Sequence, residues 1–200
     1  MKKILVMLAA VVLVGCGTTK MDPIVEKTIR QLNHLNKPEG ELTEADLARV
    51  PLLVLSETKI TDTRLKDLAK FPNLHHLSLD RTKITDVGLK EVAKLQQLTK
   101  LYLTKTQITD AGLKEVANLQ KLETLDLGGT KITDTGLKEV AKLQKLKNIF
   151  LSDTKITDAG LKDVVKIQKL TTLILYNTKI TDAAVAELKK ALPNCTIVGP

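Results

Sequence analysis

Histidine and cysteine are the residue types here best suited to metal binding, acid–base catalysis or redox chemistry, and they are few and scattered. The sequence has three histidines and two cysteines, and only His75 and His76 are adjacent. Adjacent side chains of a strand point to opposite faces, so this pair cannot chelate one ion. His76 and Asp80 would share a face and could form half of a metal site, but such sites need three or four convergent ligands. We therefore interpret His76 as a solvated surface residue and expect no metal.

A column of aspartates invites a calcium site but is explained more simply by helix capping. Six of them recur every 24 positions: Asp62, Asp86, Asp110, Asp134, Asp158 and Asp182. Each would stand at the start of its own short helix, where the helix dipole stabilises a negative charge. Phosphate-loop, nucleophile-elbow, zinc-protease and EF-hand spacings do not occur in the sequence. We expect no catalytic residue and no cofactor, and therefore a protein that is not an enzyme.

The composition favours a protein with an aliphatic core and excludes several classes of partner. Hydrophobic residues make up 43% of the 200 residues and charged residues 27%, which excludes intrinsic disorder. Only Phe71, Tyr102, Phe150 and Tyr176 are aromatic. The net charge of +8 comes mostly from lysine, because only four arginines occur. Nucleic-acid-binding proteins depend on arginine forks and stacking rings, so we expect no nucleic-acid partner.

The first 15 residues predict a targeting signal rather than part of the fold. Lys2 and Lys3 precede eleven uncharged apolar residues, 4–14, which as a helix would span about 16 Å. A bilayer core needs roughly 20 residues, so this segment is typical of a signal peptide. The sequence Leu-Val-Gly-Cys at 13–16 resembles the lipobox of bacterial lipoproteins. The alternative is an ordinary secretory signal with an accidental cysteine.

The lipobox resemblance implies a lipid anchor on Cys16. In that family the cysteine thiol is lipidated, the chain is cut before it, and the new amino terminus is usually acylated. The resemblance implies a cell-envelope location, in the outer membrane if the cell has two membranes. Residues 16–21 would then be the lipidated cysteine and a short tether.

A 24-residue period organises the rest of the chain. The tripeptide Ile-Thr-Asp begins at Ile60 and recurs at this interval to Ile180. Leu77 and Leu79 alternate as in a strand with one buried face, and the second half of each unit has the spacing of a short amphipathic helix. A fixed period of this length indicates a solenoid. The pattern resembles the leucine-rich repeat family, in the Ile-Thr-Asp-x-Gly-Leu subtype known from cysteine-containing repeats and their bacterial relatives.

The resemblance implies an α/β fold: a right-handed leucine-rich repeat solenoid shaped as a horseshoe arc. It would have a parallel sheet on the concave face and short helices on the convex face. The ninth position departs from the family, which usually has asparagine or cysteine there; here the residues are Thr58, Thr82, Thr106, Thr130, Thr154 and Thr178. We interpret these threonines as a structural ladder whose hydroxyl groups bond turn backbone groups of the neighbouring repeat.

A repeat cannot bury its apolar face alone, so both ends of the solenoid need caps. We predict an N-terminal helical cap at 22–49, with Val25, Ile29, Leu32 and Leu35 on one helix face. Six repeats follow at 50–193, and a short cap strand at 194–200 closes the array. We interpret Cys195, in that strand segment, as a packed residue rather than a redox centre.

The repeats differ from one another mainly at the third, fifth and seventh positions, whose side chains would project from the concave side of the sheet. We call these side chains the concave face. The candidate ligand-binding residues there are His76, Asp80, Lys100, Tyr102, Asp126, Asn148, Phe150, Ile174 and Tyr176. Aromatic residues exposed on a rigid sheet are typical interface anchors. We therefore expect a monomeric, membrane-anchored protein that binds a protein or peptide ligand.

Lysine ladders support an alternative function. Five lysines recur along one edge of the solenoid, Lys59, Lys83, Lys131, Lys155 and Lys179, and five along the helices, Lys66, Lys90, Lys114, Lys138 and Lys162. Solubility explains such a surface. The functional alternative is an envelope structural protein that binds an anionic polymer or lipid headgroups.

Overall fold

The computed structural model describes residues 21–31 and 40–199. It contains one sheet of seven parallel strands in sequence order. The strands are β1 (Leu52–Val54), β2 (His76–Ser78), β3 (Lys100–Tyr102), β4 (Thr124–Asp126), β5 (Asn148–Phe150), β6 (Thr172–Ile174) and β7 (Thr196–Val198). Residues 24 apart are paired between neighbouring strands, as in Leu77 with Leu101. The sequence period therefore predicts the strand register correctly.

Helices connect the strands and form the convex side. They are α1 (Pro23–Arg30), α2 (Glu44–Ala48), a 3₁₀ helix (Asp62–Lys70), α3 (Asp86–Val92), α4 (Asp110–Val116), α5 (Asp134–Val140), α6 (Asp158–Val164) and α7 (Asp182–Ala191). The parallel sheet with a helix between successive strands is the leucine-rich repeat solenoid that the sequence predicts.

The core is aliphatic and continuous along the solenoid. The leucines at the first, fourth and sixth positions are fully buried in the central repeats, as in Leu98, Leu101 and Leu103. Phe71 is also buried, as its core helix position predicts. The remaining three aromatic residues lie on the sheet side of the solenoid, outside the core.

The N-terminal segment packs against the first repeat. Val25 and Ile29 of α1 are completely buried, whereas Leu32 and Leu35 lie outside the described residues. The backbone N–H of Asp22 donates to Asp67 at 2.6 Å, and Asp22 Oδ2 lies 3.0 Å from Arg64 Nη1. These contacts fasten the start of α1 to the 3₁₀ helix of the first repeat.

The ninth-position threonines bond within their own repeat, so the prediction of contacts to the neighbouring repeat was wrong. Thr82 Oγ1 donates to the carbonyl oxygen of Leu79, three residues earlier, at 2.6 Å, and the other five threonines do the same. The residue before each threonine, such as Arg81 with φ 54°, has a left-handed backbone conformation, which turns the chain back towards its own strand. The neighbouring repeat is reached instead by the backbone N–H of Arg81, which donates to the Thr104 carbonyl at 2.7 Å.

The aspartates lie in the first turn of each helix, as the sequence predicts, but they are not the N-cap residues. The preceding threonine is the N-cap residue: Thr109 Oγ1 accepts from the N–H of Ala111. The Asp86 carboxylate instead accepts from both the N–H (2.8 Å) and the hydroxyl (2.6 Å) of Thr109 in the next repeat. The same pair of bonds joins each of the five successive repeat junctions from Asp62 to Thr181. The aspartates therefore link neighbouring repeats.

A glycine at the third helical position makes room for four of the five links. A Cβ added to Gly112 would lie 2.3 Å from Asp86 Oδ1 and 2.8 Å from Leu89 Cδ1. The last repeat has Ala184 at this position, and Thr181 there accepts from the third rather than the second helical N–H. A groove of about 460 Å³ separates α6 from α7, with Leu161, Val165 and Leu188 among its lining residues. The wider spacing therefore occurs at the junction where alanine replaces the glycine.

The first repeat also lacks the glycine. Arg64 occupies the position, and the convex segment is a 3₁₀ helix rather than the α-helix that the pattern predicts. Arg64 extends to Asp22 of the N-terminal segment, so this junction is made by an ion pair instead of an aspartate–threonine link. The two end repeats therefore depart from the pattern at the position that sets the spacing between repeats.

Candidate binding face

The structure places all nine candidate residues on one side of the sheet. Lys100, Asn148 and Thr172 align in the third-position row, and Tyr102, Asp126, Phe150 and Ile174 align in the fifth-position row. Tyr102 and Phe150 flank Asp126, as the 24-residue register predicts. Strands about 4.8 Å apart put the Tyr102 and Phe150 positions roughly 10 Å from each other.

The C-terminal half of the concave face is apolar and open to solvent. Tyr176 is 53% exposed, and Phe150 and Ile174 beside it are partly exposed. Asn148 is less available than the sequence indicates, because its Nδ2 donates to the buried hydroxyl of Thr124 at 3.1 Å. This half of the face therefore exposes three largely apolar side chains, Phe150, Ile174 and Tyr176.

The N-terminal end of the concave face has two exposed apolar residues that are not among the nine candidates. Leu52 and Val54 are 38% and 48% exposed on the edge strand β1. Apolar residues in a strand normally indicate a buried core position. Only their third and fifth positions in the repeat could have identified Leu52 and Val54 as residues of the concave face. They extend the apolar part of the face to the opposite end of the sheet.

A polar network centred on Asp80 lies between these apolar ends. Asp80 Oδ1 accepts from the N–H of Thr104 at 2.8 Å, and Oδ2 accepts from Ser78 Oγ at 2.8 Å. Ser78 is in turn hydrogen-bonded to Ser56. The sequence pattern does not reveal these two serines and Thr104 as a cluster, because the network joins residues of three different repeats.

The half metal site suggested by His76 and Asp80 is not extended by further ligands. No group of three or more His, Cys, Asp or Glu side chains converges in the part of the chain that the structure describes. Burial, helped by the positive charge of Lys100 and by His75, lowers the pKa of His76. The lowered pKa favours the neutral imidazole of His76 at pH 7.

Asp126 is a partly buried carboxylate at the centre of the face. Its Oδ1 accepts from the N–H of Gly128 at 2.9 Å. Burial raises the pKa of Asp126, and the nearby charge of Asp80 adds to the rise, against the lowering effects of the hydrogen bonds from Gly128 and Thr104. Burial also raises the pKa of Tyr102, with further contributions from Asp126 and Asp80. The phenol of Tyr102 thus lies in a negative environment.

We expect Asp126→Asn to raise the unfolding temperature at pH 7. Because burial holds the pKa of Asp126 above its value in the unfolded chain, the charged form opposes folding at neutral pH. This opposition disappears as the pH falls through the raised pKa, so the advantage of the variant should shrink towards about pH 4. Asparagine keeps the acceptor for Gly128. Thermal unfolding at the two pH values tests this, and a lower midpoint for the variant at pH 7 would contradict it.

Cys195 behaves as a packed residue in the structure. It is buried beside β7, and burial raises the pKa of its thiol, which disfavours the reactive thiolate. Among residues 21–31 and 40–199, no helix is long and apolar enough to cross a membrane. Cys16 and the rest of the predicted signal and tether up to residue 20 lie outside the described residues.

Comparisons with solved structures identify similar bacterial folds. The structure of internalin C2 from Listeria monocytogenes superposes with a TM-score of 0.66 at 26% identity, covering 88% of this chain and 82% of that one. A second internalin of the same organism gives 0.64 at 21% identity over 88% and 55% of the two chains, which shows the fold alone. A leucine-rich repeat protein of Leptospira interrogans gives 0.60 at 26% identity over 76% and 38%.

Sequence comparison leads to the same family. None of the curated proteins matches this chain. A family profile described as "Leucine-rich repeat region" matches residues 42–195, from just before α2 to the start of β7. This span contains all six 24-residue units and the aspartate–threonine links between them. The chain belongs to the leucine-rich repeat family.

Proposed function

We propose that this protein is a membrane-anchored, non-catalytic module that binds a partner protein or peptide through its concave face. The leucine-rich repeat fold commonly mediates protein–protein binding, and proteins of this family are typically non-catalytic. The observation that carries the proposal is the distribution of aromatic side chains. Three of the four lie on the concave face, and Tyr176 is largely exposed there, although the chain is otherwise very poor in aromatic residues.

The stability cost of the concave face supports a binding role. Asp126 is kept at a position where burial disfavours its charge, and Leu52, Val54 and Tyr176 expose apolar surface to water. Residues that oppose folding are typical of functional surfaces, because function and stability make different demands. The helices, in contrast, repeat the same polar residues from one unit to the next.

The anchor is the second part of the proposal and depends on Cys16. We expect Cys16→Ser to abolish the incorporation of labelled fatty acid and to remove the protein from its stable membrane association, because two or three acyl chains provide the anchor. Cys195→Ser is the matched control and should be labelled like the wild type. Metabolic labelling followed by membrane fractionation provides the measurement. Unchanged labelling of the Cys16→Ser protein would refute the anchor.

The lysine ladders favour a second candidate function, the binding of an anionic envelope polymer. None of the edge lysines Lys59, Lys83, Lys131, Lys155 and Lys179 forms an ion pair within the described ranges. Their charges are therefore free for an anionic partner. Interactions between exposed charges are screened at high ionic strength, where the Debye length falls to about 3 Å at 1 M salt.

Salt elution separates the two functions. Immobilised full-length protein is exposed to detergent-solubilised cell envelopes and eluted with increasing salt. Our proposal predicts a protein that stays bound in about 1 M salt and is absent from a matched column of Phe150→Ala/Tyr176→Ala protein, since apolar contacts resist screening. Release of an anionic polymer by salt, with no protein that depends on Phe150 and Tyr176, would favour the alternative.

A further inference from the structure

Two carboxylates converge on Tyr102 and Thr104 at the centre of the concave face. Asp80 reaches the backbone N–H of Thr104 from the neighbouring repeat on one side. Asp126, on the strand at the other side, is aligned with Tyr102, and a hydrogen bond from the Thr104 hydroxyl lowers its pKa. Tyr102 is sensitive to the charges of both aspartates. The ring and the two carboxylates therefore surround one position on the surface of the sheet.

No lysine or arginine of the described residues pairs with these carboxylates. Neither Asp80 nor Asp126 takes part in an ion pair within residues 21–31 and 40–199. Arg81 is next to Asp80 in sequence, but its guanidinium pairs with Glu57 at 2.8 Å. Lys100 lies two positions before Tyr102 on β3, and its charge acts on His76 and Glu123. The centre of the concave face is thus a negative patch in a protein with a net charge of +8.

We propose that the partner places a basic side chain, preferably arginine, against Tyr102 between Asp80 and Asp126. This inference rests on the proposed function, because it names the chemistry of the segment that the concave face binds. A guanidinium group complements the site in both charge and shape. It donates from a planar fork to carboxylates and stacks on an aromatic ring, whereas the ammonium group of lysine is a point charge.

The partner segment also needs an apolar residue close to the basic one. Phe150, Ile174 and the exposed Tyr176 form the apolar surface next to Asp126. The Tyr102 and Phe150 positions are roughly 10 Å apart, and side chains on one face of an extended segment are about 7 Å apart at two positions and about 14 Å apart at four. The occupant is therefore a protein segment with an arginine and a large apolar residue two or four positions apart.

A library of random twelve-residue displayed peptides tests this inference. Peptides are selected on the full-length protein in detergent and, in parallel, on Asp80→Asn/Asp126→Asn and Glu115→Gln/Glu139→Gln proteins. The asparagines keep the acceptors for Thr104 and Gly128, and the glutamines remove the same amount of charge from the convex helices. A melting curve of each variant establishes that it is folded.

The expected result is enrichment of arginine, with an apolar residue two or four positions away, on the wild type and on the glutamine control. The asparagine variant should lose the arginine enrichment and bind a wild-type-selected peptide about tenfold or more weakly, since hydrogen bonds to charged groups are involved. Two outcomes would overturn the inference and leave the proposed function standing. The first is peptides that depend on Phe150 but carry no basic residue, and the second is an arginine enrichment that persists in selection on the asparagine variant. Peptides that bind Phe150→Ala protein as well as wild type would overturn both.

Discussion

Gly112→Ala should destabilise the protein by about 3 kcal/mol, although alanine is the better helix former. The new Cβ would lie 2.3 Å from Asp86 Oδ1 and 2.8 Å from Leu89 Cδ1. To relieve this contact, either Asp86 gives up a bond to Thr109, which for a charged group contributes about 1.5–3 kcal/mol, or the two repeats move apart. The second outcome corresponds to Ala184, where both bonds are kept beside a groove between α6 and α7. Overpacking adds about 1–3 kcal/mol, and helix propensity returns about 1 kcal/mol. Denaturant unfolding measures the difference.

The neighbouring residue provides the control for this substitution. Ala111→Val adds two carbon atoms one position away, where the preceding repeat already has Val87, 63% exposed. We expect this change to lie within about 0.5 kcal/mol of the wild type. If Gly112→Ala were equally harmless, the aspartate–threonine links would not set the spacing between repeats.

Tyr102→Ala and Phe150→Ala should each weaken partner binding by about 2 kcal/mol or more and scarcely change the fold. Both side chains project from the sheet away from the leucine core, so folding depends little on them. Aromatic residues near the centre of an interface are the commonest binding hot spots. Titration calorimetry with the salt-resistant partner recovered from the affinity column, together with thermal melting of each variant, measures the two effects separately.

Lysines of the convex helices provide the control for the aromatic variants. Lys114→Ala and Lys138→Ala remove exposed charges that form no ion pair in the described residues, and we expect normal partner binding from both. If partner binding depended on these lysines and not on Tyr102 and Phe150, the polymer-binding function would be favoured instead.

The 24-residue period is sufficient to predict the sheet, its register and the side of each strand that faces the core. This works because the side-chain period of a strand is two, so the buried pair Leu77 and Leu79 also places Ser78 on the opposite face. The period does not show whether a polar side chain bonds within its own repeat or to the neighbouring one. Thr82 and Asp86 both recur every 24 residues, yet one bonds within its repeat and the other to the next.

The departures at the ends of the solenoid were harder to foresee. Arg64 and Ala184 replace a glycine whose importance is the space it leaves for the preceding aspartate, and a single sequence does not show that this space is needed. At the binding face, position in the repeat identified Tyr102, Asp126 and Phe150. The network of Ser56, Ser78 and Asp80 requires knowing which side chains meet across strands.

Site-specific photo-crosslinking tests the concave-face function most directly. A photoreactive phenylalanine analogue replaces Phe150 in one version of the full-length protein and the convex, exposed Val87 in another. Cells producing each version are irradiated, and the crosslinked products are identified by mass spectrometry. Our account predicts a defined protein adduct from position 150 that is absent from position 87 and is lost when Tyr102 and Tyr176 are changed to alanine. The same adducts from both positions, or an adduct from position 87 alone, would contradict it.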